Sequence, residues 1–183
     1  MPASLAMWTL RPDRSLPDSA SFLATLLVRF GEFSSAALDP GRGTLRLVLF
    51  LPQALSPAVY RAFRRRVLDA LAVLHELERR PAPRVWIRQT RTRHFTRIEV
   101  VRELADLMCE ELGLVAHLAR EMLPLEGPRE DWPEEERVRQ EERLREQLEH
   151  LRERGSLRPL VGLREEGHVF IYAVGAGRQT TPD

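Results

Sequence analysis

The amino-acid sequence predicts an α+β fold: a ferredoxin-like βαββαβ-type sandwich, with an N-terminal helix and strand added and a charged helix inserted before the last hairpin. Three observations carry this. From residue 44 the chain reads strand, helix, strand, strand, helix and a late strand. The helical segments repeat apolar residues every three or four positions, while the strand segments are short and rich in β-branched and aromatic residues. Proline and glycine clusters punctuate the joints.

Residues 1–18 read as a flexible lead-in carrying Trp8. From Ser19 or Ser21, a polar cap precedes Phe22, Leu23, Leu26, Leu27 and Phe30, one helical face that Gly31 stops. Residues 33–38 then lead into Asp39-Pro40-Gly41-Arg42-Gly43, a turn where proline presets one angle and glycine permits positive φ. The run 45–51 is apolar except for Arg46, which predicts a central strand buried on both faces. Ser56 followed by Pro57 starts a helix by cap and preset angle. Tyr60, Phe63, Val67, Leu71, Leu74 and then Leu77 or Glu78 keep the spacing until Pro81 and Pro83 end it.

Strands over 84–90 and 94–101 flank a Thr-Arg-Thr-Arg turn. A further helix starts between Glu103 and Leu107 and runs to Leu123, with Asp106 as a cap and Glu110 and Glu111 at its positive end. Prolines mark 124–133, with Trp132, as a linker. Residues 134–154 form a charged helix with a thin stripe of Val138, Leu144, Leu148 and Leu151. Its Glu135–Arg139 and Glu141–Arg145 pairs contribute about 0.2–0.5 kcal/mol each, so the helix depends on docking. After Gly155, strands 157–164 and 168–174 make a last hairpin around Glu165-Glu166-Gly167. The chain thus divides into a lead-in (1–18), an α+β core (19–123), a linker (124–133), a charged helix with its hairpin (134–175) and a tail (176–183).

Hydrophobic content of 43% with 30% charged residues is that of a globular chain. All 28 basic residues are arginine, so every cationic side chain is a planar, permanently charged fork suited to carboxylate or phosphate. The net charge of +1 divides into +9 over residues 1–102 and −8 over 103–183. Such a split points to an anionic partner for the front half, or to contact between copies. Cys109 is the only cysteine, which excludes a disulfide framework and fits a reducing, cytoplasmic setting. The longest uncharged stretch, residues 47–60, has 14 residues and two prolines, too short for a membrane span; no membrane partner is expected.

The candidate site is the arginine-rich hairpin with the arginines of the helix before it: Arg61, Arg64, Arg65, Arg84, Arg88, Arg91, Arg93, His94 and Arg97. Guanidinium forks interleaved with aromatics such as Trp86 and Phe95 can neutralise phosphates and stack bases. A comparison with RNA-recognition motifs fails: across residues 93–100 only Arg93, Phe95 and Ile98 fit the third-strand pattern, and Arg46 stands where the first strand needs an aromatic. RNA binding would therefore use arginine and shape. A winged helix made from 107–174 is disfavoured by acidic residues on its helix and wing tip.

No catalytic residue, cofactor or metal site is assigned. The five histidines are scattered, and no nucleophile elbow or phosphate-cradling glycine loop occurs. Cys109 lies near a helix start, but Glu110 and Glu111 oppose its activation. The expectation is a non-enzymatic cytosolic interaction or regulatory protein that grips an acidic protein or a nucleic acid, RNA among them. The alternatives are a self-assembling structural or adaptor protein with complementary charged surfaces, a homo-oligomer, and an enzyme whose site the sequence does not display.

Overall fold

The structure, a computed structural model, describes residues 6–8, 18–126, 132–155 and 158–174. The predicted tail, most of the lead-in and the middle of the predicted linker lie outside them. The fold is α+β, with one antiparallel sheet. Its elements are β1 (Ala6–Trp8), α1 (Asp18–Arg29), β2 (Ser35–Asp39), β3 (Thr44–Leu51), α2 (Pro57–Leu77), β4 (Val85–Arg91), β5 (Thr96–Glu103), α3 (Cys109–Met122), α4 (Glu134–Arg154), β6 (Leu160–Glu165) and β7 (His168–Ala173). The strands lie in the order β1-β7-β6-β2-β3-β5-β4.

Because side chains alternate along each strand, the register stacks them into rows across the sheet. The row Ile87, Val100, Leu47, Ala36, Gly162 and Ile171 faces the helices, and all six are buried. The next row, Arg88, Glu99, Val48, Ser35, Leu163 and Phe170, faces the other way. Phe22, Leu23, Leu26 and Leu27 of α1, Phe63, Val67 and Leu71 of α2, and Leu112, Val115 and Ala119 of α3 share one core with the first row. All helices thus lie on one side. Among the described residues, none of them covers the second face.

Several expectations are corrected. β3 is central, but its two faces differ: Leu45, Leu47, Leu49 and Leu51 are buried on the helix side, whereas on the opposite face only Val48 is buried, Thr44 and Arg46 are half-buried and Phe50 is 47% exposed. The late strand does not lie beside β3, where β2 already sits through the Pro40–Gly43 turn; β6 pairs with β2 instead. The closing hairpin therefore extends the sheet and forms no wing, and β1, unforeseen in the lead-in, extends it again by pairing with β7.

On α2, Ser56 Oγ accepts the Val59 N–H at 3.3 Å, the cap the sequence predicts. Its inward row runs Phe63, Val67, Leu71, His75 at a strict spacing of four, so the histidine takes the inner position and Leu77 is 75% exposed. Asp106 does not cap α3; it pairs with Arg102. The start of α3 is held by Glu111, whose carboxylate accepts the Met108 N–H at 3.1 Å. α4 packs on α1 through Leu144, Leu148 and Leu151, and ion pairs Arg29–Glu141 and Arg145–Glu110 tie it to α1 and α3. Trp132 is half-buried beside the cleft that α4 closes.

A buried polar cluster joins α2, β5 and α3. Arg102 Nε donates to Glu111 Oε2 at 2.6 Å and its terminal nitrogen to Glu111 Oε1 at 3.0 Å; a second fork donates to the Arg84 carbonyl. His75 Nε2 lies 2.7 Å from Glu111 Oε1, and its Nδ1 lies 2.8 Å from the Pro81 carbonyl oxygen. Both ring nitrogens of His75 face oxygen atoms, one of a carboxylate and one of the backbone.

Candidate anion-binding surface

The predicted arginines do not share one plane. Arg61, Arg64 and Arg65 are exposed on α2, above the sheet. Arg88 and Arg97 project from the opposite, open face, because positions 86, 88 and 90 of β4 and 97, 99 and 101 of β5 alternate with the buried rows. Arg91 points to the helix side and donates to the Leu55 carbonyl at 3.1 Å, which ties the hairpin to the start of α2. Arg84 stands just before β4 and pairs with Glu103 at 3.7 Å. Arg93 and His94 occupy the β4–β5 turn, where the Arg93 Nε–H donates to His94 Nε2 at 2.7 Å. The set therefore wraps around the β4 side of the sheet.

The open face adds residues that the sequence reading left out. Arg46 and Phe50 of β3 share the parity of Val48 and stand in register with Val101 and Arg97. Phe50 stacks on Phe95 with ring centroids 5.6 Å apart and planes 29° apart. Trp86, 41% exposed, lies in the Val101–Arg46 row. Strand spacings put it roughly 16 Å from the Phe50–Phe95 pair. The signal was present in the sequence: residues 44, 46, 48 and 50 must share a face, and that face, which no helix covers, leaves Phe50 exposed and Arg46 half-exposed while Val48 between them is buried. Expecting burial on both faces hid it.

Charge on this face is partly compensated. Glu99 pairs with Arg97 at 2.6 Å and with Arg46 at 3.8 Å, and Arg88 is its direct neighbour on β4. Three arginines around one glutamate leave an excess of two positive charges between two aromatic patches. A cleft of about 980 Å³ lies elsewhere, among the α1–β2 loop, α3, α4 and the β6–β7 turn, with Phe50 on its rim. Arg120–Glu32 and Arg29–Glu141 pairs span it. Among the described residues, no group of three or more histidine, cysteine or acidic side chains is placed to hold a metal ion, and no helix is long and apolar enough to cross a membrane.

Cys109 is half-buried at the first turn of α3. Burial, and then the Glu110 carboxylate, push its thiol up to about 11. At pH 7 roughly one thiol in 10,000 is then thiolate. Labelling with a thiol reagent at pH 7 is expected to be on the order of a hundredfold slower than for free cysteine, with the rate still rising at pH 9.

No protein-family model, curated protein or solved structure matches this chain.

Proposed function

We propose that this protein is a binding module for an anionic partner, acting in a reducing cytoplasm, and that single-stranded RNA is the ligand its open sheet face fits best. The observation that carries the reading is the uncovered face of β4, β5 and β3, where Arg88, Arg97 and Arg46 lie between Trp86 and the Phe50–Phe95 stack. Arginine forks suit phosphates, and exposed rings offer stacking surfaces to bases in any sequence. The Arg93 turn and the α2 arginines extend the positive field beyond that face. The β3–β5–β4 order beneath α2 and α3 supports a ferredoxin-like reading of this half of the sheet; the place beside β3 belongs to β2.

The test is fluorescence anisotropy with a labelled single-stranded RNA, read across a salt series. Affinity is expected to fall linearly on a log–log plot. Arg88→Glu with Arg93→Glu should weaken binding at least about tenfold and flatten the slope by more than one unit, since each phosphate contact contributes about 0.7. Trp86→Ala should weaken it by about 1–3 kcal/mol with the slope unchanged. Affinity unchanged by the arginine reversals would overturn the proposal.

A further inference from the structure

We infer that the open face takes an unpaired strand as one splayed step: a single phosphate clamped by Arg46 and Arg97 over Glu99, with the bases on either side turned apart onto Trp86 and Phe50. The inference rests on the RNA reading above and names the form of nucleic acid that the face selects. The register supplies the spacing. Glu99 stands on β5 between Arg88 of β4 and Val48 of β3. Trp86 lies two residues along β4 in one direction, and Phe50 two residues along β3 in the other. Glu99 is therefore the midpoint of the line that joins the two rings, roughly 8 Å from each.

Two arginines converge on that midpoint from opposite sides. Arg46 comes from the row of Trp86 and Arg97 from the row of Phe50, and both reach the same carboxylate oxygen, Oε1, at 3.8 and 2.6 Å. Like charges brought together repel, and the carboxylate between them offsets that repulsion. The Glu99 side chain is 18% exposed against 43% for each arginine, so the carboxylate lies beneath and the forks lie outermost. A guanidinium carries five N–H donors, and one carboxylate oxygen uses few of them. The remaining donors of both forks fit one phosphate, whose charge-assisted hydrogen bonds of about 2.7–2.9 Å reach two nitrogens gathered this closely. Glu99 is thus a positioning residue: it gathers the clamp and touches no ligand.

This spacing decides between forms of nucleic acid. Neighbouring bases in a stacked strand follow at about 3.4 Å. The two rings stand roughly 16 Å apart, with the clamp between them. Only a strand whose adjacent bases are free to turn apart can meet both rings while one phosphate sits on the clamp. Such a strand exposes its base faces, which stack on protein rings whatever the sequence. A duplex keeps its bases paired and stacked unless they are pulled out at a cost, and offers the face its phosphates alone. The face therefore selects single strands, and it does so by the placement of its rings about the clamp.

Anisotropy with a labelled oligouridylate across a salt series tests this, with NMR of the arginine side chains beside it. Arg46→Ala and Arg97→Ala, each alone, should leave the log–log slope near that of wild type, because the remaining fork still holds the phosphate. The double variant should flatten it by about 0.7, the contribution of one phosphate, with circular dichroism unchanged. Flattening by about 1.4 would mean two separate phosphates and overturn the inference. Pairing the oligouridylate with oligoadenylate should weaken binding at least about tenfold, since both stacked bases are lost; equal affinity for strand and duplex is the second overturning result. In the unliganded protein, the heteronuclear NOE of the Arg97 Nε–H should exceed that of the exposed Arg64 and fall to it in Glu99→Gln. Equal values in wild type would show that Glu99 gathers nothing. Wild type that does not bind oligouridylate removes the RNA reading as well, whereas each of the three results above overturns this inference alone.

Discussion

Glu111→Ala is expected to destabilise the fold by about 3–5 kcal/mol, read as a lowered midpoint in urea at pH 7. The alanine would leave the Arg102 guanidinium buried with only Asp106 as a charged partner, and would strip acceptors from His75 and the Met108 N–H. A domain of this size is stable by about 5–15 kcal/mol, so the loss takes a large share. Glu111→Gln keeps the shape and one acceptor oxygen, and should fall between alanine and wild type. Replacing Arg102, Glu111 and His75 together by leucine or methionine removes the charges with their partners, and should be far less harmful than the single change. A triple variant as unstable as Glu111→Ala would show that the cluster acts through packing.

The same carboxylate gives the stability a pH dependence. Burial pushes the Glu111 carboxyl up, but hydrogen bonds from Arg102 and His75 and the charge of Arg102 outweigh it, so the net shift is downward from 4.5. A folded value below the unfolded one stabilises fully above the unfolded value and is lost as pH falls through the folded one. The Glu111 contribution should therefore be flat from pH 7 to about 5 and decline below about 4.5. Glu111→Gln should lack that part of the decline.

Gly162→Val is the second large effect, expected at about 1–3 kcal/mol. Gly162 sits in the buried row under α1. A Cβ there would lie 2.6 Å from Leu27 Cδ1 and 3.1 Å from Ile171 Cδ1, both in the core. Glycine is used here for close approach of helix to sheet, since nothing marks it as a turn residue. Leu27→Ala should partly rescue the valine, so that the double variant loses less than the two single losses combined. Strict additivity would place the clash elsewhere.

The fold was legible where one residue's chemistry acts locally. Ser56 and Pro57 start a helix whatever surrounds them, Gly155 at φ 69° ends one, and residues 134–154 could be read as helix to their last residue. What escaped depends on residues far apart in sequence. Arg46, Phe50 and Trp86 become one surface only once β3, β5 and β4 are in register, and only because the helices settle on the other side. His75, Arg102 and Glu111 stand on three elements, and each alone reads as an ordinary polar residue. Of the predicted arginines, Arg97 is half-buried and the rest are exposed, and their positions on α2 and about the sheet plane divide them between two sides.

The pairing of β2 with β6 also sets when the molecule can finish folding. Leu38 meets Leu160, 122 residues later in the chain. At about 5–20 residues per second of synthesis, β2 is made roughly 6–25 s before its neighbour exists. Through that interval its outer ladder is open, and α1 has neither β6 nor α4 to cover Leu23 and Leu27. The half of the sheet bearing the arginine surface is complete by Glu103 and can order first. Closure of so long a loop is slow, so the nascent protein passes through a stage when the open face of β3, β5 and β4 is formed but its core is still unsealed.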